Sequence, residues 1–475
     1  MIKVQTRQIH LGQALALLAV SQALVVLDGS IVNVAIPSIA KGLHFSESNL
    51  PWVLNAYVLT FGGLLLLGGR LADLLGRRRV FMFGLVLFAL SSLAGGLSQG
   101  AGQLIAARAL QGVGAAMLSS AALSLLTSIF KEGPERNRAL GVWGAAAGSS
   151  GAIGVLLGGV LTSAFGWQWI LFVNVPIGLI AAAVTPRLLP ESRAAGSHQG
   201  FDPAGAISVT AGLTVLVYAL ISARSSGLGL TVGLLVVAFV LLATFVLIEL
   251  RNRTPLVPFR IFRVASIASA NLVGLFVGAS LLPMFFFISL YMQQVLAYGP
   301  LQTGLGYLPL AFTITVVAAV ASSLVTHFGF KAVSVGGLAL VVVGLAWFAR
   351  VSVNGSYAGD VLLPSLVAAV GLGLTFVSIT VAAMGGVPAG DTGLASGLLN
   401  TSQQIGGALG LAILSALATA QTANEAAPPT ALSLTDGFQV AFEGGAVLAA
   451  IGLALALVFM RRTPTADVAA MKDAA

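Results

Sequence analysis

The sequence predicts an all-α polytopic membrane protein with fourteen transmembrane helices. Only 8% of its 475 residues are charged, against about 25% in ordinary soluble domains, and 57% are hydrophobic. Fourteen apolar runs have the length of about 20 residues that a helix needs to cross a bilayer. Basic residues concentrate in alternate connections between these runs, which is the charge pattern typical of membrane proteins.

The fourteen runs account for most of the chain. In order, they cover roughly Leu11–Ala40, Val53–Leu71, Val80–Gln99, Gln103–Phe130, Ala139–Phe165, Ile170–Leu189, Ala204–Ala223, Thr231–Leu250, Ser266–Met292, Thr303–Thr326, Ala332–Ala349, Val361–Val387, Ala395–Ala420 and Phe438–Met460. The first run follows Lys3 and Arg7, as the apolar part of a signal peptide would. It is too long for a signal peptide and leads directly into further spans, so we expect it to be the first transmembrane helix.

The distribution of lysine and arginine predicts the orientation. With the N-terminus in the cytoplasm, 19 of the 23 basic residues fall in cytoplasmic segments. Only Lys41, Arg224 and Arg350 fall in outer loops, and Arg108 lies within span 4. We therefore expect a multi-pass protein of the cell membrane with both termini in the cytoplasm. This topology explains the net charge of +8, so no nucleic-acid partner is predicted.

Composition argues against several kinds of chemistry. The absence of cysteine removes disulfides and thiolate metal sites, and the four histidines lie at segment ends or in loops. The sequence has no G-x-x-x-x-G-K-[ST] phosphate-binding loop, which argues against ATP-driven transport. Because no nucleophile–base pair or metal-ligand cluster emerges, we expect no enzyme activity, no cofactor and no metal site.

Asp28 is a charged residue within an apolar run. Its flanks, Leu11–Leu27 and Ile31–Ala40, place it at membrane depth, where a charge costs roughly 2.5–3.5 kcal/mol to insert. Such groups usually face a protein interior or a water-filled path, so Asp28 is a candidate proton site. At about 1.5 Å per residue, Arg108 of span 4 lies in the same half of the membrane. The two side chains form either a structural ion pair or one that breaks when Asp28 binds a proton, and these alternatives are compatible.

The connection between spans 2 and 3 carries a second pattern, Gly69-Arg70-Leu71-Ala72-Asp73-Leu74-Leu75-Gly76-Arg77-Arg78-Arg79. The simplest interpretation is a basic cytoplasmic turn in which glycine permits a tight reversal. The stretch also resembles the G-x-L-A-D-x-x-G-R-[RK]-x-[RK] loop of the major facilitator superfamily, with Leu74 where an arginine is usual. The resemblance implies a conformational gate that holds the cytoplasmic side in one state. Its residues would be Gly69, Asp73, Gly76, Arg77 and Arg78.

Further stretches resemble the fourteen-span drug:proton antiporter branch of this superfamily, the EmrB/QacA type. They are Leu27–Pro37, Trp167–Gly178, Phe201–Gly205, Glu249–Arg251, Pro255–Pro258 and Gly397–Gly407. Arg108–Ala116 is similar to the R-x-x-Q-G-x-G-A-A segment of the superfamily, which is associated with proton transfer. The resemblance extends from Leu11 to about Met460, with Gln168 in place of a common arginine. It implies that Asp28 and Arg108 take part in proton coupling.

Span 5 is rich in glycine along one face. The glycines 144, 148, 151, 154, 158 and 159 lie within about 140° of the helix surface, which lets another helix approach closely. We therefore expect Gly154, Gly158 and Gly159 to lie at helix contacts. Their segment also resembles the G-P-x-x-G-G signature of antiporters, with Val155 in place of the proline.

The resemblance implies a division of the chain and a function. Residues 1–190 would form a six-helix bundle, residues 191–263 would carry the inserted spans 7 and 8, and residues 264–475 would form a second six-helix bundle with a short tail. The implied function is proton-coupled efflux of lipophilic small molecules, such as drugs or antibiotics, by alternating access in a monomer. An importer or symporter of a small organic solute with the same fold is the main alternative. A membrane sensor or membrane enzyme is a more remote one.

The candidate residues for a substrate cavity are polar or aromatic side chains within apolar spans. Most side chains of this kind are partners in hydrogen bonds between helices rather than ligands. The candidates are Asn33, Tyr57, Gln111, Asn271, Tyr291, Asn400 and Gln404. A mostly apolar pocket with few polar groups suits neutral or singly charged lipophilic compounds.

Overall fold

A computed structural model of the chain describes residues 11–46, 49–130, 134–192, 202–223, 227–252, 255–257, 259–385, 392–425 and 429–460, and the structural statements below refer to these residues. Their regular structure is helical throughout. The α-helices are α1 (Leu11–Gly42), α2 (Trp52–Leu75), α3 (Arg77–Gly96), α4 (Ala101–Ile129), α5 (Pro134–Phe165), α6 (Trp169–Phe172), α7 (Asn174–Leu188), α8 (Pro203–Ser222), α9 (Gly227–Arg251), α10 (Ala265–Leu290), α11 (Pro300–Phe348), α12 (Leu363–Met384), α13 (Thr392–Glu425) and α14 (Ala431–Phe459). Short turns complete them: a 3-10 turn at Phe259–Arg263 and π-helical turns at Tyr291–Val295 and Tyr357–Leu362. The labels number helices, not membrane crossings.

The predicted all-helical membrane architecture is confirmed, but the predicted count of fourteen crossings is not reproduced. Twelve helices of the described residues are long and apolar enough to cross a membrane. Predicted spans 10 and 11 lie in one 49-residue helix, α11, which bends at Gly329, where φ is 78°. Predicted span 5 lies in α5, where the apolar segment Ser149–Phe165 is shorter than the other twelve. A helix pairs its backbone groups internally, which explains why each apolar run adopts this structure.

The helix ends define two sides of the molecule. The Gly76 side holds the turn between α2 and α3, where the N–H of Arg77 donates to the carbonyl of Ser192 at 3.0 Å. The Gly42 side holds the end of α1, where a Cβ on Gly42 would lie 2.7 Å from Nε1 of Trp167. Asp28 lies on α1 between these two sides.

The helices pack in two groups that meet along two seams. In the first group α1 packs on α5, and α4 packs on both α2 and α3; in the second, α10 packs on α13 and α14, and α11 on α12. The seams are formed by α5 with α11 and by α2 with α13. Helices α8 and α9 pack chiefly on each other, and only Ala238 and Glu249 of α9 are buried. The apolar surface of α9 is therefore suited to lipid.

Two acidic residues fix the base of the α8–α9 hairpin. Asp202 caps α8 by accepting a hydrogen bond from the N–H of Gly205 at 2.8 Å, and Glu249 accepts one from the N–H of Val257 at 3.0 Å. Both carboxylates converge over Gly205, because a Cβ there would lie 2.7 Å from Asp202 Oδ2 and 2.9 Å from Glu249 Oε1. A side chain at this position would displace the two carboxylates. The contact joins two stretches that lie 47 residues apart in the chain.

The structure places the three singled-out glycines of α5 at close helix contacts. A Cβ on Gly154 would lie 2.8 Å from the carbonyl oxygen of Leu27, and one on Gly158 would lie 2.6 Å from that of Ile31. Gly159 faces the other way, toward α11, where a Cβ would lie 2.7 Å from the carbonyl oxygen of Pro300. One short segment of α5 therefore packs on α1 and on the second group of helices at once.

This geometry predicts the effect of adding one methyl group to α5. We expect Gly158→Ala to lower the stability of the protein by about 1–3 kcal/mol, because the new Cβ overlaps backbone of α1. The matched control is Gly151→Ala, since a Cβ at Gly151 would meet no atom within 4 Å. Thermal unfolding in detergent measures both. Equal unfolding temperatures for the two variants would contradict the close contact.

Candidate proton site and gate

Asp28 lies at the centre of a buried polar cluster. Its side chain is 0% exposed and that of Arg108 is 1% exposed. Arg108 Nη1 donates to Asp28 Oδ2 at 2.5 Å, so the two charges neutralise each other. A buried charge without a partner costs several kcal/mol, so this pairing is what allows both charges to lie inside the membrane domain.

Two amides complete the surroundings of the carboxylate. Gln111 Nε2 donates to Asp28 Oδ1 at 2.7 Å, and Asn174 Nδ2 donates to the same oxygen at 2.8 Å. Gln111 also donates to Ser92 Oγ at 2.7 Å, which adds α3 to the cluster. Asp28 on α1 is thus held by side chains from α4 and α7.

Arg108 is fixed by further contacts with α2 and α4. Its Nε donates to the carbonyl of Val53 at 3.1 Å, and its Nη1 also donates to Gln111 Oε1 at 2.6 Å. The guanidinium lies 4.4 Å from the ring centre of Tyr57, which is within the range of a cation–π interaction. Nη2 is buried without a hydrogen-bond partner. The guanidinium is therefore stabilised mainly by Asp28 and by the face of Tyr57.

The two charges of this pair depend on each other. A proton on Asp28 removes the negative charge and leaves the guanidinium of Arg108 buried without its counter-ion. Breaking one partner of a buried ion pair costs about 3–5 kcal/mol. The amides of Gln111 and Asn174 also bind the charged form, so the carboxylate has donors from both α4 and α7.

The predicted gate loop is a sharp turn between α2 and α3. Gly76 has φ of 111°, a backbone conformation that residues with a side chain rarely adopt. Asp73 pairs with Arg77 one turn later, with Oδ1 3.0 Å from Nη2. Gly69 lies on the same helix as Asp73, where a Cβ would meet Ser120 of α4 at 3.9 Å. These contacts of the loop lie within the first group of helices.

Glu191 was not predicted as part of this loop. Its Oε1 accepts a hydrogen bond from the N–H of Arg78 at 3.2 Å, and its Oε2 lies 3.7 Å from the side chains of Arg78 and Arg79. It thereby fixes the start of α3 to the segment after α7. One signal in the sequence could have found it, since Glu191 is the only acid between Glu135 and Asp202.

The candidate cavity residues do not converge on one site. Tyr57 and Gln111 belong to the Asp28 cluster. Asn33 is buried on α1, where its Nδ2 donates to the carbonyl of Gly29 at 3.1 Å. Gln404 of α13 lies against α2, because a Cβ on Gly62 would lie 2.7 Å from its Cβ.

The remaining candidates are spread over α10 and α13. Asn271 accepts a hydrogen bond from Ser402 Oγ at 2.8 Å, and so joins α10 to α13 near the Gly76 side. Tyr291 donates to the carbonyl of Ser352 at 2.7 Å near the Gly42 side. Tyr291 and Asn271 are 20 residues apart, which is about 30 Å along a helix. Asn400 is half-buried on α13.

Comparison with known proteins assigns the family. The family model described as the Major Facilitator Superfamily matches residues 18–411. The chain belongs to the major facilitator superfamily. The chain is 42% identical over 407 residues to the cephamycin export protein CmcT of Amycolatopsis lactamdurans, covering 84% of each protein. It is 39% identical over 413 residues to the puromycin resistance protein pur8 of Streptomyces alboniger, covering 86% of this chain and 82% of that protein.

Solved structures of the superfamily share the fold. A bacterial homologue of the human lysosomal transporter Spinster, in an inward-facing and unoccupied conformation, superposes with a TM-score of 0.68 at 15% identity. The match covers 95% of this chain and 98% of that one. Membership in the superfamily makes the chain a multi-pass membrane transporter rather than an enzyme.

Asn174 is the direct partner of Asp28 that sequence reasoning did not single out. It lies within the stretch Trp167–Gly178, which resembles the superfamily's antiporter branch, but nothing in that stretch shows which side chain faces α1. The assignment needs the crossing of α7 with α1 and α4. The signal available in the sequence was an asparagine within an apolar stretch after a tryptophan-rich turn.

We expect Asn174→Ala to lower the free energy of unfolding by about 1.5–3 kcal/mol, because it removes a hydrogen bond to a charged carboxylate. The control is Thr185→Ala on the same helix, where the lost hydroxyl bonds only to the carbonyl of Ala181 in α7. Thermal unfolding in detergent compares the two. A loss no larger for Asn174→Ala than for the control would contradict the role of this amide.

Proposed function

We propose that the chain exports lipophilic small molecules, such as drugs or antibiotics, across the cytoplasmic membrane in exchange for protons. The observation that carries this proposal is the Asp28–Arg108 pair, a titratable acid held at membrane depth by partners from several helices. The similar proteins named for cephamycin export and puromycin resistance support the substrate class and the outward direction.

We further propose fourteen membrane crossings, the arrangement of the EmrB/QacA branch. The bend at Gly329 supports two crossings within α11, because it divides the 49 residues into segments that are each long enough to span a bilayer. The half of α11 after the bend returns along α14, where Lys331 Nζ donates to the carbonyl of Leu457 at 2.6 Å. The 32 residues of α5 are also long enough for one crossing.

The distribution of charges supports an orientation in the membrane. The arginines around Gly76 favour a cytoplasmic location for that side, and the Gly42 side would then be external. Both termini are proposed to be cytoplasmic, although residues 1–10 and 461–475 lie outside the described part of the chain. Two bundles, residues 1–190 and 264–475, would rock about the seams α5–α11 and α2–α13, with residues 191–263 inserted between them. Because both seams lie within one chain, a monomer suffices.

The transport cycle is proposed to begin with a proton from outside binding Asp28. Loss of the ion pair with Arg108 would favour the other arrangement of the bundles, and release of the proton to the cytoplasm would restore it. Substrate moves in the opposite direction. At about 2.3 kcal/mol per charge per 100 mV, the voltage term from one proton supports a substantial substrate gradient.

Substrate contact is assigned to the polar side chains that line the seam. Gln404 lies where α13 meets α2, and Asn400 lies about one turn away on the same helix. Further contacts in other states of the cycle are proposed for Asn33, Asn271 and Tyr291. We also propose that Tyr57 and Gln111 connect the substrate to the proton site. With few polar groups in an apolar setting, neutral or singly charged lipophilic compounds fit best.

The gate loop is proposed to act on the cytoplasmic side. In this structure Asp73, Arg77 and Arg78 make contacts within the first bundle, and Glu191 holds Arg78 and Arg79 there. In the state with a closed cytoplasmic side, the same arginines would instead bind the second bundle. This exchange of partners would let the loop stabilise a closed cytoplasmic side.

The direction of transport is the decisive test of this function. In inside-out membrane vesicles, we expect puromycin, cephamycin or a cationic dye from a test panel to accumulate when the lumen is acidified. Accumulation should collapse on addition of a proton uncoupler and should be absent from vesicles lacking the protein. Uptake into right-side-out vesicles, driven by the same gradient, would instead identify an importer or symporter.

A further inference from the structure

Pro37 interrupts the backbone hydrogen bonds of α1 close to its Gly42 end. Proline has no N–H, so the carbonyl of Asn33, four residues earlier, has no donor in its own helix. Helix α1 nevertheless continues to Gly42. The donor comes from the second bundle, because Ser289 Oγ of α10 bonds to the Asn33 carbonyl at 2.7 Å. An unpaired carbonyl in one bundle is therefore satisfied by a side chain of the other.

A side chain of the π-helical turn that follows α10 extends this contact. Gln293 Nε2 donates to the carbonyl of Val34 at 2.8 Å and lies 3.2 Å from Ser289 Oγ. Gln293 belongs to the π-helical turn Tyr291–Val295, and such turns are frequent at functional sites. Ser289 is fully buried, so its hydroxyl has no access to solvent as an alternative partner.

We propose that Ser289 and Gln293 are positioning residues that hold the Gly42 side closed by binding the two α1 carbonyl groups next to Pro37. We call these four residues, Asn33, Val34, Ser289 and Gln293, the outer latch. The inference rests on the alternating access proposed above. It adds the residues that set the equilibrium between the open and closed states of the Gly42 side. Separation of the bundles on this side requires that both inter-bundle hydrogen bonds break.

The latch is connected to the proton site through α1 itself. Asn33 contributes its backbone carbonyl to the latch, while its side-chain Nδ2 donates to the carbonyl of Gly29, the residue after Asp28. Just over one helical turn therefore separates the carboxylate from the latch. A change in the position of α1 when Asp28 exchanges its proton would reach the latch directly.

The absence of cysteine from the sequence gives a direct test. Spin labels on Lys41→Cys and Arg350→Cys, two exposed positions on opposite bundles near the Gly42 side, report the opening of that side by electron–electron double resonance in lipid nanodiscs. We expect Ser289→Ala with Gln293→Ala to raise the ratio of open to closed molecules about 2- to 10-fold per hydrogen bond lost. Pro37→Ala should act in the same direction, because it returns an N–H to the Asn33 carbonyl.

Matched controls are Ser280→Ala on α10 and Gln294→Ala in the π-helical turn that follows it. Ser280 Oγ bonds only to the carbonyl of Phe276 within α10, and Gln294 is exposed, so neither should change the distances. If the double variant does not fold, the single variant Gln293→Ala replaces it, because Gln293 is only half-buried and its loss disturbs the packing less. Unchanged distances between the spin labels in the latch variants would contradict the outer latch and would not affect the efflux proposal. Inward rather than outward transport would refute the efflux proposal without affecting the distance result.

Discussion

The candidate proton site of this structure depends on the requirement that a charge inside a membrane domain be paired. Asp28 and Arg108 meet that requirement together, at a separation of 2.5 Å with almost no exposure. The same requirement explains why Gln111, Asn174 and Tyr57 surround the pair. Any event that removes one charge therefore disturbs several helices at once, which is the property that a coupling site needs.

The packing of α1 connects the Asp28 site to the second bundle. Gly154 and Gly158 of α5 lie against one face of α1, so the backbones of the two helices are in direct contact. Gly159 of the same helix contacts α11, and the carbonyls beside Pro37 contact α10. Helix α1 therefore carries Asp28 and also contacts the second bundle on the Gly42 side.

The sequence predicted the pair because a charge in an apolar run is visible without a structure. It could not predict Asn174 or Glu191 as partners, since both assignments depend on which helices cross and how each is rotated. The helical class was predictable from composition and apolar length. The count of crossings differed for two reasons: α11 continues through the bend at Gly329 where the sequence suggests two helices, and the apolar segment of α5, Ser149–Phe165, is shorter than the other spans. The candidate cavity residues were chosen by polarity alone, which does not distinguish a hydrogen bond between helices, as at Asn271 and Ser402, from a ligand contact.

The most direct measurement of the central claim compares two transport modes of Asp28→Asn in proteoliposomes. The substitution keeps the size of the side chain and removes its ability to release a proton. We predict that the variant exchanges labelled substrate across the membrane but no longer accumulates it against a gradient when a pH difference is imposed. Accumulation at the rate of the unsubstituted protein would contradict the account, because coupling would then not require the Asp28 carboxylate.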